Sequence, residues 1–590
     1  MDPLSSIGYG RPHQDGAVLD LFTTWAHRTP DAPALIDGGR THTYAELDRL
    51  ADTVADALRG RVGPGGLVGV CLGHGAALAA VTLAVAKLGA VHLPLGPRPG
   101  ERRLQAVAEQ LRPVCLVGEP AVLPQAGERL ALDLPGTVEA TLTPGAQVSV
   151  PRGTHYAVLT SGSTGTPKAV AVTEPALGAL LQWYRELTGL GPGERHSLLI
   201  GVAFDPHVME LWAGLTSGAA LVVAPEAVRW DSGALADWWR EAGITVTVLP
   251  TPLGEPVLNR PWPAGLALRH LTVGGDRLRR APGPDVTATV HNAYGPAEAT
   301  VTTTVHTMAP GGGHGEGAPP IGLPIPGAVV LVTDEDGRPV PRGVAGELRI
   351  GGTGLAAGYL DPELTARRFV SAPEGVDGTD RVYRSGDRAV MRPDGVLEFH
   401  GRLDDQVKVS GVRIEPAEVE AAFERDERVR RAVVAAEPAP TGGVRLLAFV
   451  QPAVGAVDPG ELLETVRPWL PEQAVPSAVR LVGRYPLDAN GKVDRAALLA
   501  DARVPAPAAE GDTPVERTVL KLCRELIGRA DLGPEDNFLA SGGNSLAAAR
   551  LLEALESEYG LRLRASLLLR QPDLRAVARL VEERLAPATA

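Results

Sequence analysis

Apolar residues recur along this chain with two periods, and the changes between them mark out its elements. Residues 19–27 carry apolar positions at helical spacing, and Ala34-Leu35-Ile36 is an apolar run of strand length. In THTYAELDRLADTVADAL, Thr43 stands three residues before Glu46, the spacing of a capping box, so a helix is expected to start there. A strand-like VGVCL, a helical stretch at 76–88 and a strand-like AVHLPL follow one another, which is a βαβ pattern. Further on, the apolar runs 156–159 and 169–172 read as two strands joined by a loop. A helix is expected at 175–188, then a strand ending at Phe204-Asp205 and a helix through VMELWAGLTSG. Strands at 220–223, 245–249 and 270–273, with a helix at 232–241, continue the alternation to about residue 300. Alternation of this kind predicts packed layers of sheet and helix.

The second half changes character. Residues 346–369 read as a strand, a Gly-rich turn and a Pro-initiated helix, and Asp394-Gly395 between two apolar runs signals a hairpin. A smaller mixed pattern comes next: a helix near 416–424, strands at 432–435 and 446–450, a helix at 461–469 and a strand at 479–481. In 502–513, ARVPAPAAEGDT, apolar periodicity is lost and Pro, Ala and Gly take over, the composition of a linker. Helical spacing then returns at 514–527, 545–555 and 573–585, predicting a small bundle. The expected division is 1–401, 402–501, a linker at 502–513 and a helical domain at 514–587.

Composition narrows what such a chain does. At 590 residues one core cannot account for it. A net charge of -13 weighs against nucleic acid or an anionic membrane as the main partner and favours a small molecule. Cys71, Cys115 and Cys523 are far apart and lack CxxC spacing, so neither a disulfide framework nor a thiolate metal site is expected, consistent with a reducing cytoplasm. The start MDPLSSIGYG has no signal-peptide pattern, and the most apolar stretch, 78–95, is broken by Lys87 and His92, so no membrane span is expected.

The densest chemistry is TSGSTGTPK, Thr160 to Lys168, which places five hydroxyls, two glycines, a proline and a lysine between two strands. Glycine lets backbone N–H groups approach an oxyanion, hydroxyls add donors, and lysine supplies a mobile charge, which together suit a phosphate. GxxxxGK[ST] is not satisfied, so this is not a Walker A loop. The order resembles the phosphate loop of the adenylate-forming superfamily, which includes acyl-CoA ligases, luciferases and the adenylation domains of nonribosomal peptide synthetases.

That resemblance extends through many motifs in the family's order, from about residue 18 to 585. It implies nucleotide binding by Thr160, Ser161, Gly162, Ser163, Thr164, Gly165 and Lys168, and by Asn292 and Tyr294 of HNAYGPAEATVTTT. Tyr294 would stack on adenine and Glu298 would help hold Mg²⁺. Read alone, Tyr294 is a turn residue and Glu298 a solvated one. Asp387, in SGD, resembles the carboxylate that accepts both ribose hydroxyls, and Arg402 joins the nucleotide set. GRLDDQ resembles the hinge between a large and a small domain, with Asp404 at the pivot. Lys492, in NGKVDR, resembles the mobile catalytic lysine. In DNFLASGGNSLAAARLLEAL, Ser545 resembles the carrier-protein serine that receives 4'-phosphopantetheine, and a helix N-terminus suits the resulting anion. Several positions depart from the family's usual residues: Gly96, Ala169, His207, Ala297, Ala357, Ser410 and Asn544.

FDPHVMELW separates the branches of the superfamily. It resembles the motif whose aspartate, here Asp205, pairs with the α-ammonium of an amino acid, a group that aryl and fatty acids lack. On its own, a carboxylate where a strand meets a helix is a helix cap. Matching motifs to specificity positions gives Asp205, Pro206, Met209, Val248, Leu271, Val273, Ala293, Val301, Thr302 and Lys492 as the substrate pocket. Only Asp205 and Lys492 carry charge, so a neutral, largely apolar side chain is expected, a nonproteinogenic one included. The resemblance implies an α/β fold: a large N-terminal adenylate-forming domain of packed sheets and helices, a small α+β C-terminal subdomain and a four-helix carrier domain. It implies ATP-dependent activation of an amino acid as aminoacyl-AMP and its transfer to phosphopantetheine on Ser545. Implied partners are a phosphopantetheinyl transferase, a downstream condensation or tailoring enzyme and an MbtH-like protein. A stand-alone acyl-CoA ligase and a non-catalytic carrier scaffold are the competing readings; Asp205 and Ser545 speak against the first, Asp387, Glu298 and Lys492 against the second.

Overall fold

The structure is a computed structural model that describes all residues except 1–4, 13–16, 144, 146, 162–166, 230, 312–316, 405, 410–411, 439–443, 454–456, 487–492, 503–510, 528–531, 539–540, 542, 544, 562 and 586–590. Two compact units divide it. The first comprises Met1–Thr160, Pro167–Pro225 and Ala236–Asp405; the second comprises Ser161–Thr166, Glu226–Leu235 and Gln406–Ala590.

In the first unit the alternating apolar runs build three sheets. A nine-stranded sheet has a parallel centre in which Thr289–Tyr294, His270–Gly274, Val246–Pro250, Arg195–Leu198, Ala220–Val223 and Pro33–Asp37 lie side by side. An eight-stranded sheet contains the expected βαβ unit: Leu67–Cys71 and Val91–Pro94 pair in parallel across the helix Ala76–Lys87. Its residues AALAAVTLAVAK are mostly small and almost all buried, which lets the helix sit close to Tyr44–Leu58. That second helix opens on the expected capping box, with the Thr43 hydroxyl accepting from Glu46 N–H and Glu46 accepting from Thr43 N–H. A six-stranded antiparallel sheet holds Ile7–Tyr9 against Ala328–Thr333 and contains the hairpin of Arg381–Met391 with Leu397–Arg402 around Asp394-Gly395.

The second unit contains an α+β sheet and a helical bundle. Val429–Pro438, Val444–Pro452 and Ala478–Leu481 form the sheet, and the helix Pro416–Glu424 covers it with Val419 and Phe423 fully buried. The helix expected at 461–469 runs instead over Pro459–Val466, and Arg467–Trp469 tightens to a 3₁₀ turn, because Pro468 has no N–H with which to continue the α ladder. Beyond it, Pro514–Ile527, Ser545–Tyr559, Ala565–Leu568 and Leu574–Leu585 enclose a core that includes Leu520, Leu551, Leu555 and Val581. No helix among the described residues is long and apolar enough to cross a membrane.

Four histidines make the first unit acid-sensitive. Burial pushes His92 and His291 down to about 3 and His155 and His196 to about 4. His196 bonds neutrally, with Nδ1 2.6 Å from the Ser197 carbonyl and Nε2 3.0 Å from the Tyr184 hydroxyl. The unfolded chain takes up protons near pH 6.5 that the fold refuses, so stability is full above that value and falls between pH 6.5 and about 4, by about 1.4 kcal/mol per pH unit for each histidine. Urea unfolding at pH 7.5 and pH 5 should show the loss, and His92→Phe should reduce its slope by one proton of the four.

Candidate active site

Ligands of open α/β sheets bind where parallel strands end, and the proposed pocket residues sit on four such strands or just after them. The register places Val273 beside Leu249 and Asn292, and Val248 beside Thr272. Because side chains alternate, Leu271, Val273, Asn292 and Tyr294 share one face, whereas Val248 and Ala293 share the other. Leu271 and Val273 have no exposed surface and Met209 is 1% exposed, so all three are packed rather than open to solvent.

Asp205 opens the helix Asp205–Ser217 but does not cap it. Phe204 is the N-cap, with no side-chain cap bond, and Pro206 occupies the first turn. The strand expected to reach Phe204-Asp205 stops at Leu198. The reason is local: the N–H groups of Leu199 and Ile200 are taken by the buried Glu210 carboxylate, at 3.2 and 2.8 Å, so no ladder continues there. Asp205 thus sits at the positive end of a helix, where a carboxylate is favoured. It also faces the strand Thr154–Thr160. Burial, and then the Asp205 charge, push the Tyr156 phenol far above its ordinary value, and its hydroxyl has no hydrogen-bond partner among the described residues.

Glu298 lies on the 3₁₀ turn Ala297–Ala299 and is 1% exposed, not solvated. Tyr359 donates its hydroxyl to Glu298 Oε1 at 2.5 Å. Tyr359 belongs to a short strand paired with Lys168–Thr173, so Glu298 is tied to that strand through one side chain. A carboxylate oxygen so placed fits Mg²⁺, which takes hard oxygen ligands and keeps waters and substrate phosphates in its remaining positions. The next residues, Thr300 and Val301, both have positive φ, at 53° and 65°. A β-branched residue in that region is strained, and the strain falls within the proposed substrate segment. Thr302 N–H closes the bend by donating to the Thr300 carbonyl at 2.7 Å.

Four of the proposed residues meet in one cluster. Tyr294, the last residue of its strand rather than a turn residue, donates its hydroxyl to Asp387 Oδ2. Arg402 donates to Asp387 Oδ1 at 2.5 Å and grips Asp404 with two bonds of 2.6 and 2.8 Å. Ser385 accepts from Asp387 N–H. Each Asp387 oxygen accepts one bond from protein and has a second lone pair for a hydroxyl. Asp387→Asn should remove a charge-assisted bond from a mostly buried guanidinium, lowering stability by about 1.5–3 kcal/mol and raising the KM for ATP; urea unfolding and exchange kinetics measure the two effects.

Thr160 and Lys168 face each other across the antiparallel strands that flank the loop. The Thr160 hydroxyl is buried without a hydrogen-bond partner among the described residues, and Lys168 is mostly buried. Ser161 follows directly, whereas Gly162, Ser163, Thr164, Gly165 and Lys492 lie outside the described residues. Ser545 is the first residue of Ser545–Tyr559, and its side chain is outside them too. Tyr156, Tyr359 and Ser385 join the site without having been expected from sequence. Tyr156, four residues before the loop, is the one with a visible signal, since a phenol there must be buried by the strand.

Comparison with known proteins places the chain in a family. Residues 22–360 match the AMP-binding enzyme family, 418–492 the AMP-binding enzyme C-terminal domain and 517–581 the phosphopantetheine attachment site. One of the linear gramicidin synthase proteins of Brevibacillus parabrevis is 37% identical over 93% of this chain, which spans 11% of that protein. Two further proteins of the same synthase are matched over 8% and 11% of their lengths, so the chain spans about a tenth of these relatives. Novobiocin biosynthesis protein H of Streptomyces niveus is 35% identical over 96% of both chains. Among solved structures, holo-PA1221, an NRPS protein containing adenylation and PCP domains, is similar over the full length of both chains, with a TM-score of 0.77 and 27% identity. A family match covering more than half of the residues, with a relative above 30% identity along its whole length, settles the assignment: the chain belongs to the AMP-binding enzyme family, with a phosphopantetheine attachment region at its C-terminal end.

Proposed function

We propose that this chain activates an amino acid with ATP as aminoacyl-AMP and passes it to its own carrier region, for nonribosomal peptide or related natural-product biosynthesis. The observation that carries this reading is Asp205, a carboxylate at a helix N-terminus beside Tyr156, in a chain whose AMP-binding region is followed by a phosphopantetheine attachment site. The assigned parts are a large subdomain at 1–401, a small one at 402–501, a linker at 502–513 and the carrier at 514–587.

In the first half-reaction the substrate carboxylate attacks the α-phosphorus of ATP and pyrophosphate leaves. Two anions meet, so the protein's task is positioning and charge neutralisation. Asp205 holds the α-ammonium, Asn292, Tyr294, Asp387 and Arg402 hold the nucleoside, and Thr160 to Lys168 hold the leaving phosphates. Glu298 would carry Mg²⁺, which supplies positive charge to the phosphates when bound. Lys492 bridges substrate carboxylate and α-phosphate. Rotation about Asp404 then withdraws Lys492. Ser545 would hold 4'-phosphopantetheine, which would supply the thiol for the aminoacyl group; the carbonyl–phosphate bond would break, AMP would leave and a thioester would form.

A neutral, mostly apolar amino acid fits Met209, Leu271, Val273 and Val301. Supporting partners are a phosphopantetheinyl transferase, a downstream condensation or tailoring enzyme and an MbtH-like activator, in the cytoplasm. Amino-acid-dependent ATP/pyrophosphate exchange over a panel with aryl and fatty acids tests the reading. Exchange with a neutral α-amino acid, lost on Asp205→Ala, is expected; exchange confined to acids lacking an α-amine would overturn it.

A further inference from the structure

Beside Asp205 the fold gathers three side chains that activation and transfer do not use. His207 and Glu210 stand three residues apart on the helix Asp205–Ser217, hence on one face, and both are fully buried. His74 reaches them from the loop between Leu67–Cys71 and Ala76–Lys87 and is half-buried. One ligand-capable atom from each of His74, His207 and Glu210 lies within 4.8 Å of the other two. The two imidazoles meet edge to face, with ring centroids 5.0 Å apart and planes at 75°.

Two of the three groups are oriented from behind by a single dipeptide. His74 Nε2 is 2.8 Å from the Ile200 carbonyl. A carbonyl accepts only from N–H, so Nε2 carries a proton, and in the neutral ring this leaves Nδ1 as the lone-pair atom, the tautomer that an outer partner imposes on a metal-binding imidazole. Glu210 accepts the N–H groups of Leu199 and Ile200, which fixes its carboxylate. The interruption of the strand after Leu198 is therefore what builds this cluster.

We propose that His74, His207 and Glu210 bind one divalent transition-metal ion of the Zn²⁺ class. Two imidazole nitrogens and one carboxylate oxygen form a borderline donor set that suits Zn²⁺, Co²⁺ or Ni²⁺ and not Mg²⁺ or Ca²⁺, which select oxygen cages. With metal–ligand bonds of about 2.0–2.2 Å, two imidazoles on one tetrahedral ion have ring centres roughly 5 Å apart, the spacing already present. The donor atoms close in by side-chain rotation, and a water completes the coordination. The set carries one negative charge, so the bound ion leaves a single positive charge. His74, the partly exposed member, marks the entry side. The ion ties the loop after Leu67–Cys71 and residues 199–200 to the first turn of the helix that bears Asp205. It thus acts as a positioning element for the substrate anchor, separate in ligand chemistry from the magnesium at Glu298.

The test is a Co²⁺ titration of the full-length, chelator-stripped chain in millimolar Mg²⁺, followed by Zn²⁺ competition. One equivalent of Co²⁺ per chain is expected, with the visible absorption of a four-coordinate ion, displaced by Zn²⁺, and with a rise in the unfolding temperature on Zn²⁺ binding. His74→Ala and His207→Ser should each weaken Co²⁺ at least tenfold. If His207→Ser fails to fold, His74→Ala on its half-exposed loop decides alone. Absence of chelator-sensitive Co²⁺ binding, or binding of unchanged strength and spectrum in the variants, overturns the proposal.

Discussion

Lys492→Ala should abolish amino-acid-dependent ATP/pyrophosphate exchange while leaving the later transfer intact. The adenylation step brings a carboxylate onto a phosphate, and the barrier is largely the repulsion of two anions in a site that excludes water. A positive charge set between them stabilises the transition state more than either reactant. Removing one such preorganised donor costs on the order of 10²–10³ in kcat, and a lysine that meets both partners belongs at the upper end or beyond. Lys492→Arg keeps the charge but replaces a compact ammonium with a planar fork, so it should restore little. The division of labour supplies the control: given preformed aminoacyl adenylate, the phosphopantetheinylated Lys492→Ala chain should still load its carrier. Loss of both activities would show that Lys492 serves transfer as well.

Ser545→Ala should have the opposite signature. The hydroxyl is the proposed point of attachment, so the variant should accept no phosphopantetheine and show no covalent loading. Exchange should continue at the parent rate, because none of the residues proposed for activation lies in the region that matches the phosphopantetheine attachment site. Ser545 begins the helix Ser545–Tyr559, and alanine is a good helix former, so little fall in stability should accompany the substitution. Equal loss of exchange and loading in Ser545→Ala would sink the assignment.

Legibility follows the range of the interaction. The helix at Thr43 and the hairpin at Asp394-Gly395 are written in three or four neighbouring residues, and both are readable from sequence. The edge strand Glu128–Leu132, ERLAL, carries little alternation, and Ile7–Tyr9 becomes a strand only through a partner some three hundred residues away. The strand after Arg195 is shorter than its composition implies, since nothing in its own residues says that Glu210 takes its amides. At the candidate site, Thr160 to Lys168, Asp205, Glu298 and Asp387 could be proposed from sequence because their motifs are contiguous. The bond from Tyr359 to Glu298, the cluster of Asp387 with Arg402 and Asp404, and the meeting of His74 with His207 depend on sheet register and loop path, which no short string records.

The central claim, that one chain both activates an amino acid and carries it, is tested most directly by intact-mass measurement. The full-length protein is converted to its phosphopantetheinyl form and incubated with ATP, Mg²⁺ and a panel of neutral amino acids. The account predicts a mass gain of one aminoacyl residue per chain, dependent on ATP, reversed by hydroxylamine and absent in Ser545→Ala. If no amino acid yields a gain while the same chain forms thioesters with free coenzyme A, the carrier assignment is contradicted.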